Sequence, residues 1–178
     1  MKADHISRTI SEVVYVGIAF VLQSSIAGYV AIGAARPDLI LGSLVYVSLS
    51  RRPLESTIFG FLVGLLQDLS FGGGFGLNSF CKCLTCFCVS YSSSRLFKER
   101  YWTQVIVIAV SVLFHDFVYF AFVFPGKFVA VAQSILRVSL GSGLYTALVS
   151  PGYDYLMSRV FYRREEATRE TTVVPPEQ

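Results

Sequence analysis

Two short stretches contain the residue types that most often bind metals or act in catalysis. The first runs from Cys81 to Cys88 and holds four cysteines in two Cys-x-Cys pairs. On a helix of 3.6 residues per turn, thiols at this spacing point in different directions and do not converge on one ion. The second is the pair His115-Asp116, but the only other histidine is His5. We therefore interpret the cysteines as small apolar packing residues and predict no metal, no cofactor and no enzymatic activity.

Four charged residues interrupt long apolar stretches and form the main candidate site: Asp68, Lys82, Asp116 and Arg137. A charge at the centre of a bilayer costs about 2.5–3.5 kcal/mol, so such residues normally face the interior of a helix bundle. The order of the helices places all four, together with His115, in the outer half of the bilayer. We predict a buried polar cluster there, in which Lys82 or Arg137 meets Asp68. The cluster could fix helix register through ion pairs or line a ligand cavity that opens outward, and the residues leave both readings open.

Composition indicates the elements that must hold these residues. Hydrophobic residues make up 53% of the 178-residue chain and charged residues 15%, against about 25% charged in soluble domains, and the mean hydropathy is +0.57. The uncharged stretches are long enough to cross a hydrocarbon core of ~30 Å. We predict an all-α membrane protein, a single six-helix transmembrane domain over residues 1–158 with a charged, largely disordered tail at 159–178. The predicted segments are 13–34, 37–50, 54–71, 75–94, 102–124 and 131–157.

Two of these segments have features of their own. The segment 37–50 has only 14 residues, and its length leaves open whether it crosses the bilayer fully. The last segment contains Pro151-Gly152, where we expect a kink because proline removes a helical hydrogen bond.

The positions of lysine and arginine predict the orientation of the chain. With both termini in the cytoplasm, eleven of the fifteen basic residues lie on the inner side. These are Lys2, Arg8, Arg51, Arg52, Arg95, Lys98, Arg100, Arg159, Arg163, Arg164 and Arg169. The net charge of +3 therefore indicates topology rather than nucleic-acid binding. The inner loops at 51–52 and 95–100 could also contact a cytoplasmic filament or anionic lipid.

Small or polar residues recur every four positions on three of the predicted helices. They are Ala27, Ala31 and Ala35 on the first helix, Gly60, Gly64 and Asp68 on the third, and Gln133, Arg137 and Gly141 on the sixth. The two glycines predict close approach of a neighbouring helix. The alanine stripe either packs inside the bundle or docks a partner helix, and Ala31 is its centre.

A set of short motifs occurs in a fixed order between residues 37 and 77. They read Pro37-Asp38-Leu39, Arg51-Arg52-Pro53, Gly60-Phe61, Gly64-Leu65-Leu66 with Asp68, and Gly76-Leu77. In this order they resemble the MreD family of bacterial rod-shape proteins. Two features depart from that pattern: Gly74 stands where the family commonly has a proline, and the fourth helix is rich in cysteine.

The resemblance implies a non-enzymatic subunit of the cell-elongation complex in the bacterial inner membrane. Its implied partners are the lipid bilayer, an MreC-like protein, a RodA-type glycosyltransferase with its penicillin-binding transpeptidase, and MreB filaments as a cytoplasmic candidate, but no nucleic acid. The family's fold is similar to the substrate-capture subunits of energy-coupling-factor vitamin transporters. That similarity supplies the alternative function, a substrate-capture subunit of such a transporter.

Overall fold

A computed structural model describes the backbone of residues 2–26, 37–71, 76–93 and 101–172. Within these ranges the chain is helical apart from short turns and contains no strand. The helices are α1 (Lys2–Ile26), α2 (Leu39–Ser50), α3 (Pro53–Phe71), α4 (Leu77–Ser93), α5 (Tyr101–Val123), α6 (Phe128–Ser134) and α7 (Leu140–Thr172), with a π-helical turn at Ile135–Ser139. The starts of α2 to α5 and the ends of α2 and α3 lie within two residues of the predicted segments.

The surface is apolar and much of the interior is polar, which is the reverse of a soluble domain. On α3, for example, six large apolar side chains are between 45% and 71% exposed: Leu54, Ile58, Phe61, Leu62, Leu66 and Leu69. Serine, threonine, aspartate, lysine and histidine side chains are buried between the helices. Two segments, Thr103–Val123 and Phe128–Leu156, are long and apolar enough to cross a membrane. The distribution suits a bundle that is surrounded by lipid.

Helix α2 lies at the centre of the bundle and packs against α1, α3, α4, α5 and α7. It begins after Asp38, whose Oδ1 accepts a hydrogen bond from the backbone N–H of Leu41 at 2.9 Å and so caps the helix. Its apolar side chains form one core cluster with those of α5 and α7, around Val45, Ile108 and Ala147. The 12 residues of α2 extend about 18 Å, so the helix by itself is too short to cross a ~30 Å core.

Helices α3 and α4 pack closely against each other at the two glycines that the sequence singled out. A Cβ atom at Gly64 would lie 2.5 Å from Ser79 Cα, and one at Gly60 would lie 2.7 Å from Cys86 Sγ. The predicted close approach at these glycines is confirmed. The turn between the helices ends at Gly76, whose φ of +85° favours glycine.

The last helical segment is longer and less regular than predicted. The chain runs from α6 through the π-helical turn into α7 without a break, and α7 continues through Pro151. The backbone is helical to Thr172, so α7 extends into the tail 159–178, whose low order stays a prediction. That stretch contains strong helix formers, with Glu165 and Arg169 at the favourable four-residue spacing.

Candidate functional site

Asp68 lies near the C-terminal end of α3, and its carboxylate reaches the first turn of α4. Its Oδ2 accepts hydrogen bonds from the backbone N–H of Ser79 at 3.1 Å and from Ser79 Oγ at 3.0 Å. The first N–H groups of a helix have no partner within it and carry a partial positive charge. The N-terminus of α4 therefore provides the positive counterpart of this buried carboxylate, which is 2% exposed.

This contact corrects the expected partner of Asp68. The sequence predicted an ion pair with Lys82 or Arg137, whereas no such pair to Asp68 occurs among the residues that the structure describes. The partial positive charge at a helix N-terminus comes from backbone N–H groups. A search of the sequence for charged side chains therefore does not find it.

Lys82 is completely buried and pairs with a residue that the sequence had placed only in the family motif. Its Nζ lies 3.6 Å from Oδ2 of Asp38. The backbone N–H of Asp38 donates to Oγ1 of Thr146 on α7 at 2.9 Å. Two residues further on, the N–H of Ile40 donates to Oε1 of Gln23 on α1 at 2.9 Å. The ion pair therefore joins α4 to the start of α2 at a point where α1 and α7 also converge.

His115 and Asp116 of α5 lie beside this pair, and their side chains meet at 3.1 Å between Nδ1 and Oδ1. The buried His115 is close enough to Lys82 and Asp38 for their charges to interact. We call Asp38, Lys82, His115 and Asp116 the Lys82 cluster. Asp68 is bound to Ser79, about one turn before Lys82 on α4, so it lies at the edge of the same region. Of the residues in the predicted polar region, Asp68, Lys82 and His115 are buried and Asp116 is half-buried beside them.

Several buried atoms in this region have no hydrogen-bond partner within the described chain. They are Lys82 Nζ, Asp68 Oδ1 and His115 Nε2. One donor group, one carboxylate oxygen and one imidazole nitrogen would suit a small polar molecule with both donors and acceptors. Over the same residues, no three His, Cys, Asp or Glu side chains are grouped so as to hold a metal ion.

Arg137 does not join the cluster. Its side chain is exposed, whereas Ser139 in the same π-helical turn is buried. The predicted alignment is kept, because Gln133, Arg137 and Gly141 are all exposed on one side of the helix. That side points away from the interior of the bundle, where the sequence analysis had placed it. The structure thus corrects the expected position of Arg137.

A second polar group, which the sequence analysis missed, ties α1 to α7. The Tyr15 hydroxyl donates a short hydrogen bond to Asp154 Oδ1, and the Tyr153 hydroxyl donates to the backbone oxygen of Tyr15 at 2.9 Å. The Tyr15 and Tyr153 rings stack with centroids 5.2 Å apart. Asp154 is 2% exposed. The available signal was its position inside the predicted segment 131–157, where a charge requires a partner.

Arg51 links four helices at one end of the bundle. Its guanidinium forms a short ion pair with Glu12 of α1 and lies 3.9 Å from Glu55 of α3 and 5.5 Å from the centre of the Phe59 ring. Its backbone oxygen accepts a hydrogen bond from Ser90 Oγ of α4 at 2.6 Å. This arginine is thus engaged within the bundle, in addition to the topological role predicted for it.

Some predicted features lie outside the described residues. They are the partner-helix face Ala27, Ala31 and Ala35 and the basic loop 95–100.

The remaining positions of the family motif lie at the starts of helices and at a turn. Pro37 precedes α2, Pro53 opens α3, and Gly76 ends the α3–α4 turn.

Comparison with known proteins identifies a relationship over most of the chain. A family model described as "rod shape-determining protein MreD" matches residues 4–159. This range includes every described helix up to the end of the apolar part of α7 and extends well beyond the motif stretch 37–77. No curated protein matches the chain, and no solved structure matches it.

Proposed function

The chain belongs to the MreD family of rod shape-determining proteins, and from this premise we propose that it is a non-enzymatic subunit of the cell-elongation complex. It is a membrane protein that determines rod shape. In the proposed role it assembles with an MreC-like protein, a RodA-type glycosyltransferase and its penicillin-binding transpeptidase, with MreB filaments on the cytoplasmic side.

The observation that carries this proposal is the direction in which the side chains point. The charged side chains of the Lys82 cluster bond to one another, and Asp38 Oδ1 also caps the start of α2. The surfaces of α3, α5, α6 and α7 present large apolar side chains. Such a protein binds its partners through helix surfaces that lie in the bilayer. Association between membrane helices relies on side-chain packing and on a few polar contacts.

The proposal includes six crossings of the inner membrane with both termini in the cytoplasm. The contacts support alternating helix directions: Gln23 near the end of α1 meets Ile40 at the start of α2, and Asp68 near the end of α3 meets Ser79 at the start of α4. The predicted segment 37–50, which contains the short α2, counts as the second crossing. The excess of basic residues on the proposed inner side supports the proposed orientation.

Capture of the tagged chain from its own membranes tests the proposed assembly. The chain is extracted in mild detergent, and co-purifying proteins are quantified by mass spectrometry against an unrelated tagged membrane protein at equal levels. We expect enrichment of the MreC-like protein and of the glycosyltransferase with its transpeptidase. Enrichment of transporter ATPases and their coupling subunit, or of no membrane partner, would contradict the proposal.

A substrate-capture subunit of an energy-coupling-factor type transporter is the second candidate function. It is favoured by one observation: the buried atoms Lys82 Nζ, Asp68 Oδ1 and His115 Nε2 have no hydrogen-bond partner within the described chain. Under this alternative, one of a panel of vitamins raises the melting temperature of the purified chain in a saturable way, and Lys82→Met abolishes the shift. Under the scaffold proposal, no vitamin changes the melting temperature.

A further inference from the structure

Arg137 is a charged side chain on the outer surface of a membrane-spanning helix. It is exposed, and neither a hydrogen bond nor an ion pair involves it within the described part of the chain. The other charges of the outer polar region, such as Lys82 and Asp68, have partners inside the bundle. Arg137 thus differs from them in having no partner among the described residues.

The surface around Arg137 is also unusual for one that faces only lipid. Its exposed residues, which we call the Arg137 face, are Ala132, Gln133, Leu136, Arg137, Leu140 and Gly141. The face combines a cation and a carboxamide with two small residues, whereas α3 exposes a row of leucine, isoleucine and phenylalanine. Small residues allow close helix approach, and polar side chains bond across helix interfaces in membranes.

The depth of Arg137 favours a protein partner over lipid headgroups. It lies nine residues after Phe128, the first residue of α6, which corresponds to about 14 Å along the helix. That is close to half of a ~30 Å hydrocarbon core. Snorkelling to the headgroups is typical of long basic side chains near helix ends, and Arg137 stands well inside its span.

A second copy of the chain does not offer the required acid. The acidic residues of the outer region are directed into the bundle: Asp38 pairs with Lys82, Asp68 is bound to Ser79, and Asp116 is bound to His115. The counter-charge must then come from a different protein.

We propose that the Arg137 face binds a membrane-spanning helix of another protein, and that a carboxylate on that helix pairs with the Arg137 guanidinium inside the bilayer. Guanidinium is suited to this because its planar fork binds a carboxylate through two parallel hydrogen bonds. Ala132 and Gly141 let the helix approach, and Gln133 donates or accepts a further bond. The inference requires only that the chain lies in a membrane, so it stands or falls independently of which partners the elongation complex supplies.

Site-specific photocrosslinking in the native membrane tests this surface. A photoreactive amino acid replaces Leu140 on the Arg137 face, and in a matched control it replaces Leu62, which is similarly exposed on α3. We expect an adduct from position 140 whose crosslinked segment is a membrane span with an acidic residue. Arg137→Leu should reduce its yield about tenfold, as expected for loss of 1.4 kcal/mol, and position 62 should not give the same adduct.

A charge exchange then tests the pairing itself. Arg137→Glu should abolish the adduct, and replacing the partner's acid with arginine in the same cell should restore it. Because Arg137 is exposed and unbonded, these variants should keep the wild-type melting temperature in detergent, which shows that the bundle is intact.

Three results would overturn the proposal. One is an adduct whose yield does not depend on Arg137. Another is an adduct with a second copy of this chain. The last is Arg137-dependent retention of anionic lipid, seen by native mass spectrometry, together with no protein adduct from position 140.

Discussion

The contact between Asp68 and the N-terminus of α4 makes a quantitative prediction. Asp68→Ala removes the two hydrogen bonds that Oδ2 accepts from Ser79 at 3.1 and 3.0 Å. Polar bonds between membrane helices average ~0.6 kcal/mol and reach ~1.7 kcal/mol. Two such bonds give an expected loss of about 1–3 kcal/mol in the free energy of unfolding. Asp68→Asn should lose less, because the amide oxygen still accepts a hydrogen bond.

A double-mutant cycle identifies the partner of Asp68. Unfolding is followed by circular dichroism during titration of detergent-solubilised protein with sodium dodecyl sulfate. The coupling of Asp68→Ala with Ser79→Ala, which removes only the hydroxyl bond, should be about 1 kcal/mol. The coupling with Lys82→Met should be smaller, because Lys82 pairs with Asp38. A larger coupling to Lys82 than to Ser79 would refute this interpretation.

Two further predictions use the same unfolding assay. Gly64→Val should destabilise the protein by more than about 3 kcal/mol, because its Cβ would lie 2.5 Å from the backbone of Ser79. The control is Gly17→Ala, because a Cβ at Gly17 has no atom within 4 Å. Equal losses of unfolding free energy in the two variants would contradict the close packing of α3 and α4. Lys82→Met should cost about 3–5 kcal/mol because it leaves the partner carboxylate without its cation, whereas adding Asp38→Asn should recover part of that loss. Purely additive losses would show that the two side chains are not a pair.

The sequence predicted the architecture well because lipid-facing helices have a strong signal. Long uncharged stretches between charged clusters placed α2 to α5 closely. Gly60 and Gly64 correctly predicted close helix packing, because small residues four positions apart in a membrane helix typically let a neighbouring helix approach. The short α2 was the uncertain segment, and the structure explains it as a buried central helix.

The partners within the polar region could not be predicted in the same way. Asp68 was recognised as a buried acid, but its counterpart is a set of backbone N–H groups. Asp38 can pair with Lys82 only because α2 begins at the same depth in the bilayer as Lys82. Hydropathy does not predict that depth. The four-residue spacing of Gln133, Arg137 and Gly141 predicted that they share a face, but it could not tell that this face points away from the bundle interior. The bond between Tyr15 and Asp154 joins residues 139 positions apart, and no local pattern encodes such a contact.

The most direct test of the central claim is depletion of the chain in the bacterium that encodes it. Cell width and the incorporation of a fluorescent peptidoglycan precursor along the side wall are measured as the protein disappears, with restoration from a second gene copy as the control. We predict that cells widen and lose rod shape as side-wall incorporation falls, and that the second copy restores both. Cells that remain rods with unchanged side-wall synthesis after complete depletion would contradict the claim.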